Sequence, residues 1–199
     1  MNRDGERIAL FGGTFDPPHL GHLSIAREAV VRCGLDRVIF IPCRRSPHKT
    51  NETSATPDQR CEMLELCTAG ETWAETSRVE LDRESPSYSW ESAEHFAALH
   101  PGATLHWILG QDQWATIESW SHPERLRDLV TFIVFPRNAI APVEIPGFRF
   151  QQIDYTHPAS ASQIRELLRD GKAPPDLLQP SVADYIGEHR LYRTAPASS

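Results

Sequence analysis

The sequence predicts an α/β fold with a doubly wound, mostly parallel sheet, helices on both faces and a small helical segment near the C-terminus. Short uninterrupted apolar runs, typical of strands buried on both faces, alternate along the chain with stretches of helical spacing. The first three elements, at about residues 8–11, 19–33 and 37–42, form a strand–helix–strand unit. Such a unit requires parallel strands joined by a right-handed crossover, so the predicted architecture is Rossmann-like.

Length and charge favour one compact domain that binds small molecules. The 199 residues, of which 40% are hydrophobic, form a single predicted domain over positions 1–199, with disorder expected at 1–6 and 194–199. The formal net charge of −7 argues against a nucleic-acid partner, which would normally require a basic surface.

The cysteines and the hydropathy of the sequence indicate in which cellular compartment the protein is expected. The four cysteines show neither Cys-x-x-Cys nor a Cys/His zinc spacing, so we expect free thiols and no metal site built from side chains. No apolar run approaches the roughly 20 residues of a membrane span, and the first residues lack an apolar signal segment. We therefore expect a cytoplasmic protein without a membrane partner.

The most informative stretch is the loop after the first predicted strand, together with the start of the next helix. A Gly-Gly pair at 12–13 ends the apolar run, and a Pro-Pro pair at 17–18 tightens the loop. A helix that begins near His19 would direct backbone N–H groups and the positive end of its dipole toward a phosphate. His19 and His22 then share one face of the first turn, and Gly21 leaves no side chain in the path of a ligand.

A basic loop follows the second strand. The first helix should end at Gly34, and the strand at 37–42 leads into a polar loop on the side where open α/β sheets bind ligands. This loop is either a phosphate-binding cluster or a solvated surface, and its cations are Arg44, Arg45, His48 and Lys49. Thr56 and Gln59 form a capping box that starts a second helix. Arg60, in its first turn, either faces the same crevice or lies on the surface.

The middle of the chain continues the alternation of strands and helices. Residues 77–81 alternate as a short strand does, and a helix is expected from about 89 to Gly102. A buried strand at 104–109 places Asp112 at its carboxyl end, where the carboxylate either reaches a ribose or a metal, or caps a helix. Two tryptophans follow that either pack in the core or stack on an aromatic ring of a ligand: Trp114 and Trp120.

The last third of the chain offers a second candidate for binding an anion. It begins with a buried strand at 131–135, a proline-rich loop at 136–149 and an edge strand at 150–155. Ser160 and Gln163 then form a capping box. Ser162 and Arg165 lie on one face of the helix, so a hydroxyl and a guanidinium lie beside its positive end. The alternative is an ordinary capped helix, and a short helix over 180–189 closes the chain.

These motifs, taken together, resemble a known family. The order Gly-Gly, Asp-Pro-Pro and His-x-Gly-His within 12–22 resembles the adenylyl- and cytidylyltransferase superfamily, and no P-loop pattern is present. Further matches narrow the resemblance to bacterial nicotinate-nucleotide adenylyltransferases: residues 12–22, 47–49, 59–64, 86–89, 109–112 with Trp120, 160–165 and 185–193. Two stretches depart from the family pattern but keep a hydroxyl. They are Ala-Ser-Ala-Ser at 159–162, in place of Ile-Ser-Ser/Ala-Thr, and Ser-Tyr-Ser at 87–89, in place of Ser-Tyr-Thr.

The resemblance implies transfer of the adenylyl group of ATP to nicotinate mononucleotide, giving deamido-NAD and pyrophosphate in NAD biosynthesis. It also implies Mg²⁺ bound with ATP, and it leaves room for a homo-oligomer. The catalytic residues it implies are His19, His22, Lys49 and Arg165. The implied ATP-binding residues are Gly12, Gly13, Thr14, Phe15, His19, His22, Gly110, Asp112, Ser160, Ser162 and Arg165. The implied mononucleotide-binding residues are Asp16, His48, Lys49, Ser87, Tyr88, Ser89 and Trp120, with Trp120 stacked on the pyridine ring.

Two alternatives remain open at the level of sequence. One is another adenylyltransferase of the same superfamily, such as pantetheine-phosphate adenylyltransferase, although those chains are shorter and lack a counterpart of Ser87 and Trp120. The other is a nucleotide-binding module without turnover. The intact His-x-Gly-His argues against that second alternative, because loss of catalysis would relieve the need for both histidines.

Overall fold

A computed structural model describes residues 5–44, 55–84, 86–136, 141–172, 174 and 176–193. Within them, six strands form one sheet in the order β3-β2-β1-β4-β5-β6, and every neighbouring pair is parallel. The strands are β1 Arg7–Gly13, β2 Arg37–Pro42, β3 Ala74–Thr76, β4 Thr104–Gly110, β5 Val130–Phe135 and β6 Phe150–Gln152. This is the doubly wound strand order, so the predicted Rossmann-like α/β class is confirmed.

Helices connect the strands and close the chain. They are α1 Leu20–Cys33, α2 Pro57–Thr68, α3 Ser89–Leu99, α4 Gln111–Trp114, α5 Pro123–Leu129, α6 Ala161–Arg169 and α7 Pro180–Glu188, with a short 3₁₀ helix at Ile117–Ser119. The local signals set several of their ends. Gly34 terminates α1 in the left-handed region at φ 60°, and the Thr56 side chain accepts a hydrogen bond from the Gln59 N–H at 3.2 Å.

Alternate residues of the strands face two separate cores, as a sheet covered on both sides requires. Ile8 and Leu10 of β1 pack in the cluster that contains Phe96 of α3, whereas Ala9 packs in the cluster that contains Ala26 of α1. A third cluster joins the first helices to the C-terminal segment and contains Leu23, Met63, Ile164, Val182, Ile186 and Leu191. The predicted helices on both faces and the small C-terminal helical segment are therefore present.

The strand order reverses between β1 and β4, and this reversal positions the site. β1 pairs with β2 on one side, from Ile8 opposite Arg37 to Gly13 opposite Pro42, and with β4 on the other. After β1 and after β4 the chain turns in opposite directions, and a crevice therefore opens beyond the carboxyl ends of the two strands.

Three sequence-based expectations about elements were wrong. Residues 77–81 form a turn, in which the Arg78 carbonyl accepts the N–H groups of Leu81 at 2.8 Å and Asp82 at 3.0 Å, and the strand of this region is β3 instead. The last strand does lie at the edge, but its regular pairing ends at Gln152 rather than at 155, because the chain then turns into the crevice.

The third correction concerns the start of the chain. Disorder was expected over 1–6, yet the Glu6 carbonyl accepts the N–H of Thr104 at 2.8 Å, and the Glu6 carboxylate pairs with Arg37 at 3.0 Å. Residues 1–4 and 194–199 lie outside the described part of the chain. Among the described helices, none is both long enough and apolar enough to cross a lipid bilayer.

Candidate active site

One crevice of about 1200 Å³ opens over the carboxyl ends of β1 and β4. It brings together every described residue that the family resemblance assigns to a substrate. These residues are Gly12, Gly13, Thr14, Phe15, Asp16, His19, His22, Ser87, Tyr88, Ser89, Gly110, Asp112, Trp120, Ser160, Ser162 and Arg165. Two other assigned residues, His48 and Lys49, lie outside the described residues. A cavity of this size exceeds the usual range for a single drug-sized ligand and suits two substrates side by side.

A backbone contact fixes the tautomer of His22. Its Nδ1 accepts the backbone N–H of His19 at 3.2 Å, so a neutral His22 carries its proton on Nε2. The ring stacks on His19 with centroids 3.7 Å apart, and the Phe15 ring meets it edge-on at 4.9 Å. His22 therefore presents a positioned N–H donor, and its orientation is set before any ligand arrives.

His19 is held neutral by its surroundings. Its side chain is only 6% exposed, and burial, followed by the charge of His157, lowers the pKa of His19 to about 4. Gly21 explains the tight fit, because a Cβ there would lie 2.9 Å from His19 Nδ1 and 3.3 Å from the Ala159 carbonyl oxygen. Gly21 also lines the crevice, and its role in keeping the path of a ligand clear stays a prediction. The space above it holds the His19 ring and the Ala159 carbonyl.

The segment 12–16, here called the glycine loop, packs on the buried side chain of its own Phe15. Phe15, 2% exposed and with φ 49°, lies under Gly13, where a Cβ would come within 2.9 Å of its ring. Phe15 thus supports the loop and the His22 ring from the core side.

Arg60 is fully buried, which excludes the surface position, one of the two that the sequence left open. Its Nη1 donates to the Thr14 carbonyl at 2.6 Å, and its Nη2 donates to the Cys43 carbonyl at 2.7 Å. The Arg44 guanidinium also bonds to the backbone, because its Nε and Nη2 both donate hydrogen bonds to the Leu81 carbonyl. These two arginines tie together the loops around the crevice, although neither side chain is among the described residues that line it. The other cations of this loop, Arg45, His48 and Lys49, lie outside the described residues.

Asp16 connects three parts of the fold. Its carboxylate accepts hydrogen bonds from the Tyr192 hydroxyl at 2.7 Å and from the Ala55 N–H at 3.3 Å, and its carbonyl accepts Nη1 of Arg165 at 2.6 Å. Burial and the Asp16 carboxylate raise the pKa of Tyr192, so its hydroxyl stays a donor. This geometry gives Asp16 a positioning role within the crevice.

The N-termini of α6 and α1 differ in the hydrogen bonds that they already make within the protein. At α6, the Ser160 hydroxyl accepts the Gln163 N–H at 3.2 Å, and Nη2 of Arg165 donates to the Ser162 hydroxyl at 3.4 Å. At α1, the Leu20 N–H donates to the Leu177 carbonyl at 2.9 Å and the His22 N–H donates to the His19 carbonyl at 2.9 Å. Two N–H groups of the first turn of α1 are therefore already paired within the protein.

The opposite wall holds the residues assigned to the mononucleotide. The Ser87 hydroxyl donates to the Glu80 carbonyl at 3.1 Å, and the Tyr88 N–H donates to the Glu91 carboxylate at 3.1 Å. The Tyr88 N–H therefore caps α3 and is not free for a ligand. Trp120 is half-buried and lines the crevice, whereas Trp114 lies in the core with its indole N–H on the Val143 carbonyl at 2.8 Å. Asp112 is exposed in the first turn of α4, whose cap is Gly110.

Sequence reasoning missed several residues of this crevice. Glu80 was missed because residues 77–81 were assigned to a strand. The residue is only 5% exposed, and its carboxyl group accepts a hydrogen bond from the Ser92 hydroxyl at 2.9 Å. The segment 155–159, with His157, also lines the crevice, and its only sequence signal was its place just before Ser160. The Asp16–Tyr192 contact carried no signal, since the two residues are 176 positions apart.

Glu80 gives a prediction on stability. Burial raises the pKa of Glu80 against the opposing effects of Ser92 and Arg83, so the carboxylate destabilises the folded state at pH values above that pKa. Gln can still accept the Ser92 hydroxyl. Glu80→Gln should therefore raise Tm at about pH 8 by roughly 2–4 °C, equivalent to about 1 kcal/mol. The gain should shrink as pH is lowered from about 8 to about 5, because a raised pKa makes Glu80 take up its proton in the folded wild type before it would in the unfolded chain.

The measurement is thermal unfolding across this pH range, with Glu118→Gln as the control. Glu118 is exposed, so the control removes the same charge without relieving any burial. A variant whose Tm falls, or whose gain is the same at both ends of the pH range, would contradict the prediction.

Comparison with known proteins agrees with this architecture. The profile of the Cytidylyltransferase-like family matches residues 10–167. The chain is 39% identical to a probable nicotinate-nucleotide adenylyltransferase of Solibacter usitatus, covering 94% of this chain and 99% of that protein. It is 37% identical to one of Gloeobacter violaceus, covering 94% and 97%.

A solved structure shares the fold. It is the Plasmodium falciparum nicotinic acid mononucleotide adenylyltransferase complexed with NaAD, with a TM-score of 0.76 at 20% identity over 94% of this chain and 97% of that one. The likeness in structure supports the fold, and the identity to curated relatives over nearly the whole chain supports the family. The chain therefore belongs to the Cytidylyltransferase-like family and, within it, to the nicotinate-nucleotide adenylyltransferases, which are nucleotidyltransferases.

Proposed function

We propose that this chain transfers the adenylyl group of Mg·ATP to the 5′-phosphate of nicotinate mononucleotide, releasing pyrophosphate and deamido-NAD. One observation carries the proposal. One crevice at the switch point of the sheet gathers the described residues that the family assigns to both substrates, including the two histidines of the His-x-Gly-His motif. The relatives that share the sequence over most of its length carry the same enzyme name.

The chemistry fits the side chains of the crevice. An oxygen of the mononucleotide phosphate forms a bond to the α-phosphorus of ATP, and the bond from that phosphorus to the bridging oxygen of pyrophosphate breaks. The attacking phosphate is already ionised at neutral pH, so the reaction needs positioning and charge stabilisation rather than a side-chain nucleophile. His22, through its Nε2–H, supplies a directed donor to the oxygens that gain charge.

The remaining residues orient the phosphates. Arg165 keeps donors available beyond those used on Asp16 and Ser162, because a guanidinium carries five N–H groups. Mg²⁺ would be bound mainly by ATP itself, and it would supply positive charge that offsets the charge of the phosphates. Within the described residues, no group of three or more His, Cys, Asp or Glu side chains is placed to hold a metal ion. Cytoplasmic location remains a prediction from the sequence, which leaves the oligomeric state open.

The test is pyrophosphate release with Mg·ATP and one of three acceptors offered in parallel: nicotinate mononucleotide, nicotinamide mononucleotide or phosphopantetheine. We expect rapid release with nicotinate mononucleotide and much slower release with the other two. Release with phosphopantetheine alone would move the chain to the sibling enzyme. No release with any acceptor, together with measurable ATP binding, would favour the nucleotide-binding module without turnover.

A further inference from the structure

His157 is a third histidine of the crevice, and the family signature gives it no role. It lies in the segment between β6 and α6, three residues before the Ser160 cap, and it is half-buried among the lining residues. The same segment carries Ala159, whose carbonyl lies over Gly21 in the first turn of α1. The segment that carries His157 thus leads into the N-terminus of α6 and contacts the first turn of α1 through Ala159.

The proton of His157 is located by the same kind of contact that fixes His22. The Ala159 N–H lies 3.1 Å from His157 Nδ1 and donates to it. A neutral His157 therefore carries its proton on Nε2. In both residues a backbone N–H donates to Nδ1.

The electrostatic influence of His157 reaches His19. After burial, the charge of His157 is the second cause that lowers the pKa of His19. His157 also lines the same crevice as His19 and His22, so a ligand that fills this crevice lies beside all three side chains. A chain with a formal net charge of −7 needs such local donors to hold a polyphosphate.

We infer that His157 binds the polyphosphate tail of ATP through its Nε2–H, on the α6 side of the crevice beside Ser162 and Arg165. The contact falls on the part of ATP that leaves as pyrophosphate, because His157 precedes the helix that carries those two residues. The inference rests on the proposed function, since it takes ATP as the source of the polyphosphate.

Two substitutions separate phosphate binding from a purely local role in the turn. Asn can place its side-chain oxygen where Nδ1 accepts the Ala159 N–H, but it lacks the distal donor. Gln can place an amide N–H near the position of Nε2, but it does not reproduce the contact at Nδ1. If His157 binds the phosphates, His157→Gln should keep more of the pyrophosphate affinity than His157→Asn. If His157 only supports the turn, His157→Asn should keep more.

The experiment is calorimetric titration of the full chain with magnesium pyrophosphate, together with KM values for both substrates. We expect His157→Asn to weaken pyrophosphate binding and raise KM for ATP by about 5- to 20-fold, with His157→Gln within about threefold of wild type. KM for nicotinate mononucleotide should stay within about twofold in both. The exposed His95, changed to Ala, is the control for loss of an imidazole elsewhere.

Several outcomes would overturn the inference. They are wild-type pyrophosphate affinity in His157→Asn, a greater loss in His157→Gln than in His157→Asn, and equal losses in both together with a lowered Tm. Absence of pyrophosphate binding by the wild type would overturn it as well. If the wild type binds pyrophosphate but transfers no adenylyl group, the proposed function fails while the titration still decides the role of His157.

Discussion

Replacing His22 with alanine should lower kcat for adenylyl transfer by about 10²- to 10³-fold, with less than about a fivefold change in KM for ATP. The ring is oriented before binding by the His19 N–H and by the edge of Phe15, so its Nε2–H is a fixed donor. A fixed donor at the reacting phosphate contributes mainly where charge develops in the transition state, and its loss therefore appears in kcat.

Two conservative variants sharpen this test. His22→Asn keeps an acceptor for the His19 N–H but has no distal donor, so it should be nearly as slow as His22→Ala. His22→Gln restores an N–H near Nε2 and should recover part of the rate. Steady-state kinetics with Mg·ATP and nicotinate mononucleotide give the answer, with His95→Ala as control. A kcat for His22→Asn within about threefold of wild type would show that His22 supports the helix only.

Replacing Arg60 with methionine should destabilise the protein by about 2–4 kcal/mol, seen as a Tm lower by roughly 5–15 °C. The buried guanidinium satisfies the carbonyl groups of Thr14 and Cys43, and methionine would leave both without this donor in a buried region. Because Thr14 belongs to the glycine loop, kcat/KM should fall in the folded fraction too.

Arg60→Lys separates charge from geometry. A lysine keeps the positive charge, but its compact ammonium cannot span two carbonyl groups as the planar guanidinium does, so most of the destabilisation should persist. Arg32→Ala is the matched control, because Arg32 pairs with Glu28 on the exposed side of α1 and its loss should change stability by less than about 0.5 kcal/mol. A Tm for Arg60→Met equal to that of the control would refute the structural role of Arg60.

Local signals predicted the fold well where a few neighbouring residues decide the conformation. Gly34 ends a helix because it adopts a left-handed conformation at no steric cost, and Thr56 starts one because its hydroxyl meets the Gln59 N–H. The segment 77–81 was misassigned for the converse reason. Its alternation is real, but the strand that β2 needs at its edge is supplied by Ala74–Thr76, and the later residues turn to bury Leu81.

The sequence indicated which residues would line the crevice, but it did not indicate which hydrogen bonds they would make with one another. A parallel sheet brings the carboxyl ends of its strands to one edge, so residues after β1 and β4 had to meet. Which donor meets which acceptor depends on distances across the fold. Arg60, Arg44 and Arg165 are cations near a phosphate crevice, yet each donates to a backbone carbonyl, and no sequence pattern announces such a contact.

These three guanidiniums have an electrostatic consequence. A carbonyl oxygen is a neutral acceptor, so the hydrogen bonds to Thr14, Leu81 and Asp16 orient the arginines without cancelling their charge. Of the three, Arg165 is the one that lines the crevice, which it shares with the carboxyl groups of Asp16, Glu80 and Asp112. An attraction between Arg165 and an anionic nucleotide therefore acts against the sign of the whole molecule, whose formal net charge is −7, and added salt weakens it by screening.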